Sequence, residues 1–184
     1  VLPSAYRWLD DEPGPRMLRE MLKLYGTREV LGPGNNPEIM SWAKEVGVGY
    51  PADEIAWCGL TVAVAARRAG WEFQPGGNPL WARNWGGWGT SQRVAMLGDV
   101  LVFPRESGGH VAIYVGEDGT HYHILGGNQH DEVCIVRKPK APILAIRRAP
   151  WTLAQPPNVR RVMLSPAGAP LSTLGFLYML EAFE

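Results

Sequence analysis

Cys58 and His110 are the two residues whose types and positions best suit covalent chemistry. Cys58 follows Trp57 and opens a nearly unbroken apolar run, which predicts that the cysteine lies at the start of a buried helix. The positive end of the helix dipole and the free N–H groups of its first turn stabilise a thiolate and lower the thiol pKa. His110 begins a predicted strand after Gly108 and Gly109, and an imidazole can take up and return a proton near neutral pH. The pair therefore predicts a cysteine nucleophile with a histidine base and acid.

A third polar group follows the next predicted strand, in Gly126-Gly127-Asn128-Gln129. Strands joined by a hairpin are neighbours, so Asn128 is expected beside His110 at one end of the sheet. Its amide oxygen would accept a hydrogen bond from the imidazole and fix the tautomer, as the third member of a Cys-His-Asn triad does. Gln129 is the alternative for this role. The backbone N–H of Cys58 is the expected oxyanion donor.

Each of these residues also has a structural interpretation when it is taken alone. A cysteine in an apolar run is often simply buried, a histidine can cap a turn, and asparagine is common after paired glycines. Their joint placement is what favours catalysis. Cys134 lies in an alternating strand pattern and is interpreted as a small buried residue, so a disulfide with Cys58 is not expected.

Two periodicities predict the elements that position these residues. Apolar residues at helical spacing predict helices from Pro15 to Tyr25, from Pro37 to Val46 and from Trp57 to Ala69. A loop rich in Gly and Trp follows over residues 71–97. The period then changes to two, and five strands are predicted, over 99–103, 110–115, 122–125, 133–137 and 143–147. Helices followed by a meander predict an α+β fold, with N-terminal helices packed on a roughly five-stranded antiparallel sheet.

Composition and chain organisation narrow the class of protein. The 184 residues carry 18 Lys+Arg and 18 Asp+Glu, so the formal net charge is zero and no nucleic-acid partner is expected. Neither a signal peptide nor a long apolar span is visible, so no stable membrane insertion is expected. Residues 1–14 are interpreted as a lead-in segment and 15–150 as the catalytic domain. Residues 151–184 are interpreted as a linker and a tail whose apolar run extends from Leu171 to Phe183.

Aromatic residues around the loop are candidates for substrate binding. Indoles can stack on sugar or peptide surfaces along a groove, although core packing explains some of them equally well. The candidate substrate-binding residues are Trp57, Trp81, Trp85, Trp88 and Gln129.

Two further clusters are candidates for metal sites. His121 and His123 share one face of a predicted strand, but no acidic or cysteine partner has suitable spacing. Asp53 and Glu54 form an acidic pair that offers too few oxygens for Ca²⁺. No metal and no cofactor are expected.

The order of these motifs resembles the CHAP/NlpC-P60 superfamily of cysteine peptidoglycan hydrolases. Within it, the sequence is most similar to a phage- and prophage-associated subgroup of small cell-wall hydrolases. The similarity covers roughly residues 15–150. The segments that carry it are Trp57-Cys58, GDVLVF over 98–103, GHVAIYVG over 109–116 and LGGNQ over 125–129.

The resemblance implies a papain-like fold and hydrolysis of a peptidoglycan amide. The bond would lie within the stem peptide or between N-acetylmuramic acid and L-alanine. By position, Cys58 matches the family's nucleophile, His110 the base and Asn128 the third polar residue. Many CHAP domains carry a glutamate two positions before that asparagine, where this sequence has Gly126.

The resemblance also implies a partner and a location. The partner is bacterial peptidoglycan, and residues 151–184 could contact a phage tail or another protein. A phage-encoded enzyme of this kind acts from the virion tail, or passes from the cytoplasm to the cell wall as an endolysin. Two alternatives remain open, a non-catalytic wall-binding or tail structural module with the same fold, and an acyltransferase.

Overall fold

The protein combines helices with one antiparallel sheet in the part of the chain that this computed structural model describes, residues 1–73 and 77–172. The helices are a 3-10 helix over Ser4–Asp11, α1 over Arg16–Leu22, α2 over Pro37–Val46, α3 over Cys58–Arg68 and a second 3-10 helix over Ala82–Gly87. The expected α+β class is confirmed. The expected apolar run from Leu171 to Phe183 lies outside the described residues from position 173 onward.

Six strands form the sheet in the order β1-β6-β2-β3-β4-β5, and every neighbouring pair is antiparallel. They are β1 over Thr90–Ser91, β2 over Val100–Arg105, β3 over Gly108–Glu117, β4 over His121–Gln129, β5 over Glu132–Pro139 and β6 over Ala145–Arg148. The five predicted strands are confirmed with shifted ends. Strand β1 was not predicted, because two residues within a Gly- and Trp-rich loop carry no periodicity.

The starts of α2 and α3 differ in how their backbone N–H groups are satisfied. At α2 the Asn36 side chain accepts a 2.8 Å hydrogen bond from the backbone N–H of Glu38. Gly47 ends that helix in the left-handed conformation, with φ of 81°. At α3 the residue before the first turn is Trp57, and no side chain caps the helix. The first N–H groups of α3 are therefore left for another partner.

Helix α3 is the centre of the main core. Its residues from Cys58 to Ala66 are all buried, and the helix packs on β3 and β4. A side chain at Gly127 of β4 would collide with Thr61 and with the Trp57 ring. A side chain at Gly59 would collide with the backbone carbonyls of residues 79 and 80. Backbone therefore approaches α3 closely from two directions.

Both ends of the described chain contribute to the same core. Tyr6 and Leu9 of the first 3-10 helix are buried in the main cluster, together with Val162 and Leu164. The segment around Val162 also bonds to the end of β3, where the N–H of Glu117 donates to the Val162 carbonyl at 2.9 Å. The boundaries expected near residues 14 and 150 therefore do not mark the edges of the core.

Candidate active site

Cys58 lies at the floor of an apolar cleft of about 540 Å³. The walls come from residues between 49 and 56, 78 and 83, and 107 and 109. The Tyr50 hydroxyl donates a 2.5 Å hydrogen bond to the Ile55 carbonyl and so closes the first of these loops. Cys58 is only 2 % exposed, and it lines this cleft.

The charge state of Cys58 reflects two opposed effects. Burial raises the pKa of the thiol, and it outweighs the stabilising groups around the sulfur. Those groups are the backbone N–H of Val111, the positive charge of Arg105, and the N–H groups of Gly59 and of Cys58 itself. The net pKa is above its ordinary value, which is opposite to the direction expected from a helix N-terminus alone. The contact with Val111 places the sulfur beside the residue that follows His110.

His110, near the start of β3, is buried and bonded at both ring nitrogens. Its Nε2 lies 2.9 Å from Gln129 Oε1, and its Nδ1 lies 3.1 Å from Arg105 Nη2. The Gln129 amide is oriented by its own Nε2, which donates to the Cys134 carbonyl at 2.6 Å and the Gly126 carbonyl at 3.2 Å. Because Gln129 Oε1 can only accept, His110 Nε2 carries the proton. Nδ1 is then the nitrogen with a free lone pair, toward which Arg105 donates.

The environment of His110 keeps its imidazole neutral. Burial and the positive charge of Arg105 lower its pKa to about 4, and the hydrogen bond to Gln129 offsets only part of this. At neutral pH the imidazole of His110 is therefore neutral, and burial keeps the thiol of Cys58, which meets the N–H of the following residue Val111, neutral as well. A nucleophilic thiolate forms only when a proton moves between them.

Asn128 does not take the orienting position that the sequence predicted. The pairing of β4 with β5 shifts between Gly126 and Gln129, and Asn128 has a positive φ of 53° within this irregularity. Between these two pairs β4 has one residue more than β5, as in a β-bulge. As a result Gln129, and not Asn128, faces His110. Gln129 was the alternative for this role. Its side chain is buried, its described bonds are internal and it lines an opening beside His110, so its part in substrate binding stays a prediction.

The four candidate tryptophans divide between core and cleft. Trp57 is fully buried, packs on Trp42 and donates from Nε1 to Glu29 at 2.8 Å. Trp85 and Trp88 are also buried and pack on each other. These three indoles therefore belong to the core and not to the surface of the cleft. Trp81 is 68 % exposed and lines the cleft, so it alone of the four is available to a ligand.

Arg105 is a site residue that the sequence did not reveal. It ends β2, whose hairpin with β3 pairs Phe103 with His110 and Arg105 with Gly108. The only signal in the sequence was the short separation of Arg105 and His110, because a hairpin between β2 and β3 brings the end of β2 close to the histidine. An arginine after an apolar strand is more often simply solvated.

Asp53 and His123, two of the candidate metal ligands, have other partners. The Asp53 carboxylate accepts one hydrogen bond from the backbone N–H of Val30 at 3.0 Å and one from that of Asn36 at 2.7 Å. His123 bonds to Asp118 and to the Tyr6 hydroxyl. Over residues 1–73 and 77–172, no group of three or more His, Cys, Asp or Glu side chains could hold a metal ion. Cys58 and Cys134 are both free thiols.

Compared with protein-family models and with curated proteins, the chain matches none. No helix among the described residues is long and apolar enough to cross a membrane. The functional conclusion therefore rests on the geometry of Cys58, His110 and Gln129 and on the sequence motifs that carry them.

Proposed function

We propose that this protein is a cysteine hydrolase of peptidoglycan amide bonds with a papain-like fold. The observation that carries the proposal is the 2.9 Å bond between His110 Nε2 and Gln129 Oε1, together with a cysteine at an uncapped helix start whose sulfur meets the N–H of Val111, the residue after His110. It leaves Nδ1 of the same ring as the proton acceptor. Gln129 replaces Asn128 as the third member of the triad.

The sequence resemblance and the site geometry involve the same segments. GHVAIYVG over residues 109–116 lies within β3 and supplies His110, and LGGNQ over 125–129 ends β4 and supplies Gln129. This coincidence supports a cell-wall amide as the substrate. The open cleft above Cys58, with an exposed indole at Trp81, suits an extended glycopeptide.

The proposed reaction is an acyl transfer through a thioester. The Cys58 sulfur attacks the amide carbonyl carbon while its proton moves to His110 Nδ1. The imidazolium gives that proton to the leaving amine nitrogen, and the C–N bond breaks. Water then attacks the thioester, gives a proton to the neutral imidazole, and releases the carboxylic acid and the thiol.

The backbone around Cys58 supplies the electrostatic part of this reaction. The tetrahedral intermediate carries a negative oxygen, and free N–H groups of the first turn of α3 are the donors available to it. Removing one such donor in other hydrolases costs on the order of a hundredfold to a thousandfold in rate. Because both groups rest neutral, the proton of Cys58 must move to His110 before or during the attack.

Cys58→Ala and Cys58→Ser test the proposal on purified cell walls. Both variants are expected to lose hydrolysis, because neither alanine nor a serine with this base supplies the thiolate. Cys134→Ala is the matched control, since it removes the other buried thiol. Mass spectrometry of the released muropeptides identifies the cleaved bond from the new amino and carboxyl ends. Hydrolysis by Cys58→Ala at the wild-type rate would overturn the proposal.

The burial of Cys58 favours one rival function, a wall-binding module that keeps the fold without turnover. Such a module predicts that the wild-type protein co-sediments with cell walls but releases no new amino groups. An acyltransferase would show the thioester but pass the acyl group to an added amine or hydroxyl. The same mass spectra separate all three outcomes.

A further inference from the structure

A second opening lies next to His110 and carries a concentration of positive charge. It has a volume of about 360 Å³, and we call it the basic pocket. Its lining residues with basic side chains are Arg105, His110, His130, Arg137 and Lys138. The residues lining it include no aspartate or glutamate.

Two of these cations have no carboxylate partner among the described residues. Arg137 is paired, because its Nε donates to Asp118 at 2.8 Å. Arg105 bonds to His110 Nδ1, and no carboxylate in the described part of the chain meets it. The Lys138 ammonium lies 5.3 Å from the centre of the Phe103 ring.

Arg105 and Lys138 also act on each other. Burial and the charge of Arg105 lower the pKa of Lys138. Two like charges that face one pocket without a counter-ion repel each other, and an anion placed between them would relieve that repulsion. Arg105 is solvent-exposed, so its guanidinium can turn toward such an anion.

We propose that Arg105 and Lys138 bind a carboxylate of the substrate next to the scissile amide. This inference rests on the proposed hydrolase function and names the chemistry that the site selects. A guanidinium presents paired N–H donors that match the two oxygens of a carboxylate, and an ammonium adds a second charge. The selected substrates are stem peptides with a free carboxylate near the cut, in preference to those with a carboxamide there.

Binding of the carboxylate also changes the state of the base. In the free protein Arg105 donates toward the lone pair of His110 Nδ1. When the guanidinium turns to the carboxylate, that lone pair becomes available for the proton of Cys58. A substrate with a carboxamide in place of the carboxylate leaves Arg105 bonded to the imidazole. The preference for the carboxylate therefore affects kcat as well as binding.

The first test compares two synthetic muropeptides that differ only by a carboxylate or a carboxamide beside the cleaved bond. The wild-type protein is expected to prefer the acid by about tenfold to a hundredfold in kcat/KM. Arg105→Gln should reduce this ratio to within about threefold of one, and Lys138→Gln should reduce it partly. Arg93→Gln removes an exposed arginine outside the basic pocket and should keep the full ratio. A wild-type ratio of one, or an unchanged ratio in Arg105→Gln, overturns the inference.

The second test does not depend on hydrolysis. Iodoacetate and iodoacetamide alkylate the same sulfur but differ in charge, and peptide mapping reports Cys58 separately from Cys134. The ratio of the two rates at Cys58 should favour iodoacetate in the wild-type protein and fall about tenfold in Arg105→Gln. Cys134 should show no such change.

The two tests separate the two proposals. If no peptidoglycan is hydrolysed but iodoacetate is preferred through Arg105, the hydrolase function fails and the anion site stands. If peptidoglycan is hydrolysed with no preference for the acid, and iodoacetate is not favoured, only the carboxylate site fails.

Discussion

His110 and His123 are both buried imidazoles on neighbouring strands, and both are hydrogen-bonded at each nitrogen. His123 has the stronger set of partners, because its Nε2 lies 3.0 Å from the Asp118 carboxylate and its Nδ1 lies 2.6 Å from the Tyr6 hydroxyl. His110 has only a neutral amide as its orienting partner. By its bonds alone, His123 looks more like a catalytic histidine than His110 does.

Access and neighbours separate the two histidines. His123 is fully buried, and its Tyr6 partner ties the N-terminal 3-10 helix to the sheet. His110 lines the basic pocket and precedes the residue whose N–H meets the sulfur of Cys58. An oriented imidazole is therefore not enough for catalysis, since the ring must also face a nucleophile that a substrate can reach. We expect His123 to act on stability and His110 on turnover.

Substituting each histidine by alanine gives the largest expected contrast. His110→Ala should lower the rate of wall hydrolysis by about a thousandfold or more, because the proton acceptor is lost. His123→Ala should cost about 2–4 kcal/mol of unfolding free energy, because it leaves a cavity and unpaired buried partners. Its turnover per folded molecule should stay within about threefold of wild type.

Urea unfolding and initial rates of release from dye-labelled cell walls, both at neutral pH, measure these effects. If His123→Ala folds but does not hydrolyse cell walls, the claim that His123 acts on stability and only His110 on turnover is wrong.

The pH dependence of stability gives the next contrast. The pKa of His110 is lowered to about 4 by burial and by Arg105, whereas an unfolded histidine titrates near about 6.5. The unfolded chain therefore binds the proton first, and stability falls as the pH drops from about 6.5 toward 4, by on the order of 3 kcal/mol. Denaturant unfolding at stepped pH measures this slope, and His110→Gln should reduce it, while His123, whose pKa burial also lowers, keeps a part.

A different group governs stability at lower pH. Burial alone would raise the pKa of Asp118, but hydrogen bonds from Arg137, the Thr120 N–H and His123 hold it well below its ordinary value. The contribution of Asp118 to the free energy of unfolding is thus fully present above about pH 4 and is lost as the pH falls further.

The outcome for His110 is read at higher pH. If His110→Gln leaves the slope of stability between about pH 6.5 and 4 unchanged, the neutral, buried state of the His110 imidazole is refuted.

Changing Gln129 sharpens the comparison, because it alters the partner of His110 directly. Gln129→Ala should lower kcat by about tenfold to a hundredfold, since the ring loses the acceptor that fixes its tautomer. Gln129→Glu gives His110 the type of partner that His123 has, and should raise the pKa of His110 and move the acidic limb of the pH–rate profile upward. Asn128→Ala should change kcat by less than about threefold, and a larger loss there would restore Asn128 to the orienting role.

Substitution of Trp81 gives the smallest expected effect, and it changes only substrate binding in the cleft. Trp81→Ala should raise KM by about threefold to tenfold with little change in kcat, because an exposed indole on the cleft wall contributes uniform binding. Trp85→Phe should leave KM unchanged and lower the thermal midpoint, since Trp85 is buried and its Nε1 donates to the Pro79 carbonyl. Steady-state kinetics together with thermal unfolding distinguish the two. Unchanged kinetics in Trp81→Ala would remove the cleft from substrate binding.

Local sequence patterns were enough to predict most of the helices and strands, and to select Cys58 and His110 as candidate site residues. Helix α2 was predicted from Pro37 to Val46 and has those bounds, because its cap at Asn36 and its stop at Gly47 are local signals. Cys58 and His110 were predicted in the same way, from the position of each at or near the start of an element. These features depend on a few adjacent residues and need no knowledge of packing.

The remaining features depend on tertiary contacts that no local pattern records. A one-residue shift in the pairing of β4 moved the orienting role from Asn128 to Gln129. The pKa of Cys58 rises because packing buries the sulfur more strongly than the helix start stabilises its anion. Trp57 and Trp81 look alike in sequence, yet one is in the core and the other is exposed.

The close backbone contacts at Gly59 and Gly127 have a consequence for how such a protein can diversify. Helix α3 is held by the carbonyls of residues 79 and 80 on one side and by the backbone of β4 on the other. Neither glycine can gain even a methyl group without displacing the helix that carries the nucleophile. Laboratory selection for new substrates should therefore accumulate changes at exposed positions such as Trp81 and Arg105, and leave both glycines untouched.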